Sequence, residues 1–221
     1  FLSKIVWFLI STAVAEVLLF TLALVSGLRM PLVAVQILWF NLVTEGIQTL
    51  ALGFEAKEPD VMRKRPRNPR EPVFDRQMVE QCVVIGAFVG ALSLSLFAWL
   101  HYSAGYDLNA ARNLTLLFLV SYSNLHTLNC RSETHSVLSI PIRANPLLIG
   151  SLIAAQGVHI AAMHIPFMQE VLGIGPVRAW EWAAIFALAI SVLLVGEAYK
   201  ALRARPRAQR LLSAPETIAT H

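Results

Sequence analysis

Gln36-Ile37-Leu38-Trp39-Phe40-Asn41-Leu42-Val43-Thr44-Glu45-Gly46-Ile47-Gln48 decides the fold. The stretch lies in an apolar segment long enough to cross a bilayer, yet it carries Asn41, Thr44, Glu45 and Gln48. Their spacing places all four on one face of a helix. A carboxylate at mid-membrane costs roughly 2.5–3.5 kcal/mol even on the lenient insertion scale. A cation held by clustered oxygens is the natural compensation. Gly46, beside Glu45, lets the helix loosen there and release backbone carbonyls as further ligands. The alternative is a polar helix–helix contact, with Asn41 and Glu45 hydrogen-bonded to a neighbour.

Outward from this stretch the composition is that of a membrane protein. Of 221 residues, 56% are hydrophobic and 14% charged, against about 25% charged in soluble domains. Six apolar spans are expected, forming an all-α transmembrane bundle. They run over 2–25, 31–52, 77–102, 111–129, 146–165 and 180–199. Too little chain is left over for a soluble catalytic domain, which usually needs about 100 residues. Gly27 to Pro31 is a tight turn, so the first two spans are antiparallel neighbours. Glu16 and Glu45 then reach a similar depth from adjacent helices. Gly86 and Gly90 on the third span form a small-xxx-small pattern suited to close packing.

The organisation follows: 1–52 is a helical hairpin with the cation-site residues, and 53–76 is a basic, proline-rich cytoplasmic loop. Residues 77–200 form a four-helix support region, and 201–221 is a basic, disordered tail. With both termini cytoplasmic, fifteen of the 18 Lys and Arg lie on the inner side and three on the outer. That asymmetry is the positive-inside signature of six spans with both termini inside, not a sign of nucleic-acid binding; a plasma or inner membrane is the expected location. Cys82 and Cys130 fall near the cytoplasmic membrane edge, where no disulfide is expected. The chain starts at Phe1 without a signal peptide. It is therefore expected to begin inside a longer polypeptide or to have been trimmed.

Gln36 to Phe54, QILWFNLVTEGIQTLALGF, resembles the sixth transmembrane helix of type II P-type cation-transporting ATPases, the calcium-pump-like group. The following run from Ala56 to Phe74 is similar to the cytoplasmic loop of that family, which docks near its phosphorylation domain. Ser11 to Val17 resembles the ligand-bearing part of the fifth helix, and Asn124 to Glu133 the end of the eighth. The resemblance implies helices five to ten of a pump and a cation site formed by Glu16, Asn41, Thr44 and Glu45. Thr12, Gln48, Ser123 and Asn124 are secondary ligand candidates. Two departures matter: Ala13 stands where the family has an Asn, and Ser123 where it has a Glu. One cation per cycle is the resulting expectation.

Oxygen ligands suit a hard cation, Ca2+ first, with Mg2+ as the alternative. Two carboxylates held away from water can instead carry protons (H+). Other polar groups have plainer roles. His126 and Asn129 are expected to pack between helices, and Gln156 and His159 to hydrogen-bond across them. His159 and His164 are five apart, off the spacing of a helical metal pair. Glu197 and Lys200 suit an i, i+3 ion pair.

The chain has no Asp-Lys-Thr-Gly motif and no Gly-rich phosphate loop, so no nucleotide site and no ATP hydrolysis are expected of it alone. The family's first four helices, with their Pro-Glu-Gly segment, have no counterpart here. The expected function is the cation-pathway module of an ATP-driven pump. Its partners are the lipid bilayer and the N-terminal half of a P-type ATPase, in the same or a separate chain. The alternatives are a stand-alone, non-enzymatic membrane subunit and a passive channel or proton-coupled carrier.

Overall fold

The computed structural model describes residues 2–54, 76–132, 136–139, 141 and 145–212. Nearly all of the basic 53–76 loop and the end of the tail, 213–221, lie outside these residues. The chain is built from helices, with no strand among the described residues. Helix α1 spans Leu2–Val25 and ends in a turn at Gly27, whose φ of 66° favours glycine. Next come α2 (Ala34–Trp39), a π-helical turn over Phe40–Glu45, and α3 (Gly46–Leu52). Beyond the undescribed loop lie α4 (Arg76–Ala98), extended by a π turn over Trp99–Ser103, and α5 (Leu108–Asn129). The remaining helices are α6 (Pro146–Ala162), α7 (Pro166–Leu172) and α8 (Ala179–Leu212).

Helix starts are set by local chemistry. The Asp107 side chain accepts from the Ala110 amide at 2.6 Å and starts α5. Asn145 accepts from the Leu148 amide at 3.0 Å, with Pro146 in the first turn of α6. Gln36 reaches back to the Val33 amide at 3.0 Å, so α2 begins at Ala34 rather than at Pro31.

The closest pairings are α1 against α4, α5 against α8, and α3 against α6. Helix α4 comes near enough to α1 that a Cβ on Gly86 would lie 2.5 Å from Val14, and one on Gly90 2.9 Å from the Ala15 carbonyl. The glycines therefore permit the close approach that their spacing suggested. Helix α5 runs through the centre: from Leu114 to Ser123 every residue is buried. Its core includes Leu116, Leu117, Phe118 and Tyr122, packed with Trp7, Phe8, Phe40 and Phe97.

Among the described residues, three helices are long and apolar enough to cross a membrane: Ser3–Val25, Met78–Ser103 and Ala179–Arg203. The bent pair α6 and α7, which turns through 93°, makes a fourth if taken as one span. The other two expected spans do not qualify on the same grounds, for a physical reason. The second is broken by its π turn, and α5 is rich in polar side chains that it can carry only because protein covers it. The segment after α6 holds the short helix α7. One further expectation changes: α8 continues to Leu212, so the first part of the expected disordered tail is helical.

Candidate cation site

The π turn positions the site. Each π turn takes in one residue more than an α turn, which widens the helix locally. The loosening lies just before Gly46, over Phe40–Glu45, and Gly46 itself opens an ordinary helical segment with φ −58°. The extra residue splits the polar stripe. Asn41 and Glu45 address α1, whereas Gln48 addresses α5.

On the α1 side, the Asn41 Nδ2 group donates to both oxygens of Glu16, at 2.9 and 3.1 Å, and to the Ile37 carbonyl at 3.0 Å. One amide thus spans the carboxylate and fixes its plane. Thr12, one turn before Glu16, donates to the carbonyls of Phe8 and Leu9 and also lies within reach of the Glu45 carboxylate. Glu45 is 3% exposed and Thr44 is fully buried. Neither Glu45 Oε1 nor Thr44 Oγ1 has a hydrogen-bond partner among the described residues. An unpaired oxygen in low-dielectric surroundings costs about 1–3 kcal/mol, more when charged. Such atoms call for an explanation, and a bound ion is one that their chemistry allows. Two carboxylates and several neutral oxygens suit a hard cation. Among the described residues no three His, Cys, Asp or Glu side chains converge in a way that could hold a metal ion, so neutral oxygens must complete any shell.

On the α5 side the secondary candidates pair with one another. Ser123 donates to Gln48 Oε1 at 2.7 Å, Gln48 Nε2 donates to Asn124 Oδ1 at 2.5 Å, and Asn124 Nδ2 donates to Gln156 Oε1 at 2.8 Å. This relay ties α3, α5 and α6 together. Ser123, where a family carboxylate was expected, thus spends its proton on an amide.

The remaining polar groups are largely structural. His126 Nε2 lies 2.6 Å from Ser11 Oγ and its ring packs against Trp7 and Phe8. Trp39 donates to His159 Nδ1 at 3.2 Å, and His164 bonds the Ile160 carbonyl, so the two histidines do not converge. Glu197 and Lys200 lie 3.1 Å apart, and Lys200 also donates to the Asn129 carbonyl. Glu80 pairs with Arg203. Cys82 and Cys130 are buried thiols, Cys82 donating to the Trp7 carbonyl at 3.7 Å and Cys130 lying 3.5 Å from His126 Nε2.

One residue near the carboxylates escaped the sequence reading. Tyr122 on α5 is 1% exposed, and its hydroxyl has no partner among the described residues. The sequence shows it among the polar residues in the C-terminal half of α5 but assigns it no role. The signal that could have found it is the polar tip of an aromatic ring inside a membrane helix.

Comparison with known proteins gives concordant results. Residues 29–202 match the family model "Cation transporting ATPase, C-terminus". The "Calcium-transporting ATPase" of Bacillus subtilis (strain 168) is 31% identical over 185 residues, which cover 84% of this chain and 21% of that protein. The "Endoplasmic reticulum calcium ATPase srcA" of Aspergillus fumigatus is 28% identical over 223 residues, 87% of this chain and 23% of the relative. The chain thus spans about a fifth of the length of these two relatives.

Proposed function

This chain belongs to the cation-transporting ATPases, as a C-terminal membrane region of a P-type calcium ATPase, and from that premise we propose that it binds the transported cation. The observation that carries this reading is Glu45: a buried carboxylate at a widened helical turn, with one oxygen unpartnered beside the unpartnered hydroxyl of Thr44. Glu16, Asn41, Thr44 and Glu45 form the site. Glu45 supplies the central charge and Thr44 a neutral oxygen. Glu16, oriented by Asn41, supplies the second charge. Ca2+ is the cation, as the names of the relatives suggest. One ion binds per cycle, because Gln48, Ser123 and Asn124 are engaged with one another.

Asn41 and Leu42 are exposed on the flank of the site, as are Leu38 and Val17. This open side is where the N-terminal half of the pump, in the same or a separate chain, would close it. That half carries the phosphate chemistry, and its coupled motion opens the site to one membrane face or the other. The charge asymmetry supports six crossings with both ends cytoplasmic, and a plasma or inner membrane is the proposed location.

The test is Ca2+ binding to membranes that hold the full-length protein. Glu16→Gln and Glu45→Gln are each expected to weaken binding at least tenfold. Unchanged binding in both would remove the site.

A further inference from the structure

We infer that Tyr122 is a further residue of the cation site, its hydroxyl oxygen closing the shell from α5; this rests on the cation-binding reading above. Buried oxygens with no partner among the described residues lie on two facing elements: Thr44 Oγ1 and Glu45 Oε1 on the π turn, and the Ser121 and Tyr122 hydroxyls on α5. Of the two hydroxyls on α5, that of Tyr122 belongs to a ring packed against Phe40, the first residue of the π turn. Its ring is held on three sides. Phe40 lies 6.5 Å away, Phe118 5.9 Å and His126 6.3 Å between centroids. A phenol so wedged cannot swing its hydroxyl out to water.

A buried hydroxyl without a partner is disfavoured, and Phe fills the same space without that penalty. Tyr at this position therefore has a use for its oxygen. The neighbouring Ser123 is turned to Gln48 at 2.7 Å, and Ser121, also unpartnered, lacks the reach of the phenol that packs against the π turn through Phe40. A neutral oxygen there adds a ligand without adding a third negative charge to a site that already holds two. Hard cations accept such mixed shells of charged and neutral oxygens.

The experiment compares Tyr122→Phe with Glu45→Gln in the full-length protein, using Ca2+ alone as the probe. Tyr122→Phe is expected to raise the Ca2+ dissociation constant about tenfold, the size typical of losing one supporting contact at a metal site. The unfolding temperature measured without Ca2+ should stay the same or rise. Ca2+ addition should also produce a tyrosine difference band in near-ultraviolet absorption that Tyr122→Phe loses, which a purely structural residue would not give. Unchanged affinity in Tyr122→Phe, with binding lost in Glu45→Gln, overturns the Tyr122 assignment and leaves the site standing. Unchanged binding in Glu45→Gln overturns both. A fall in Ca2+-free stability that matches the loss of affinity also overturns the assignment, because the ring would then be serving the fold.

Discussion

Two polar groups reach from the same broken helix to its neighbours, one to α1 and one to α5 and α6, and they differ in how their hydrogen bonds close. The carboxylate group of Glu16, Asn41, Thr44 and Glu45 leaves oxygens without partners, and part of it is open at the protein surface. The amide group of Gln48, Ser123, Asn124 and Gln156 passes its hydrogen bonds along a line through three helices. The first is charged and unfinished, the second neutral and nearly complete. The difference frames the proposed site: polar atoms that satisfy one another pin helices, and the unsatisfied oxygens beside a carboxylate are those the proposal assigns to the cation.

The sharpest way to break this contrast is Glu45→Gln. The substitution keeps the shape and removes the charge, so Ca2+ affinity is expected to fall about a hundredfold in equilibrium binding, while Ca2+-free stability is kept or raised. If affinity holds, the unfinished group is merely a contact. Asn41→Leu comes next. It leaves Glu16 in place but frees its plane, and a loss of about tenfold in Ca2+ affinity is expected, as for other orienting partners of a metal-bound carboxylate. Gln48→Leu tests the other side. Unfolding in detergent should show a loss of about 1–2 kcal/mol, because Ser123 and Asn124 lose a partner, with Ca2+ affinity within about twofold. A large affinity loss here would merge the two groups into one site. The smallest effect is expected from the coupling of Asn124 and Gln156. A double-mutant cycle with Leu at both should return about 0.6 kcal/mol, the average for hydrogen bonds between membrane helices.

Much of this contrast was legible in the chain. Apolar runs broken by glycine, proline and charge gave the helices, and a carboxylate in mid-span marked Glu16 and Glu45 as the residues to watch. What escaped was the division of the stripe. Asn41, Thr44, Glu45 and Gln48 share a face only on a regular α-helix, and the π turn rotates Gln48 away from Asn41. No residue in Phe40–Glu45 announces that turn, because its cause is tertiary: Phe40 fits beside Tyr122, and Asn41 reaches across to Glu16. The partner of Gln48 was equally hidden, since Asn124 lies 76 positions away. Helix α5 looked like one more span, yet its polar half is explained by burial on every side. The helical run of α8 to Leu212 belies the basic, proline-containing composition that suggested disorder.

The π turn also stores slack. It holds one residue more than an α-helix needs, and one residue is about 100° of rotation and 1.5 Å of rise. Below it, α3 is anchored to α6, with Asn145 donating to the Ala51 carbonyl at 3.3 Å. Above it, α2 is held at its outer end, where Gln36 donates to the Leu172 carbonyl at 2.9 Å. With both shafts clamped, the surplus residue can migrate along the helix like a ruck in a carpet. Each step of that migration would turn a different side chain inward, so Glu45 and its neighbours could change the direction they face while the ends of the helix stay still.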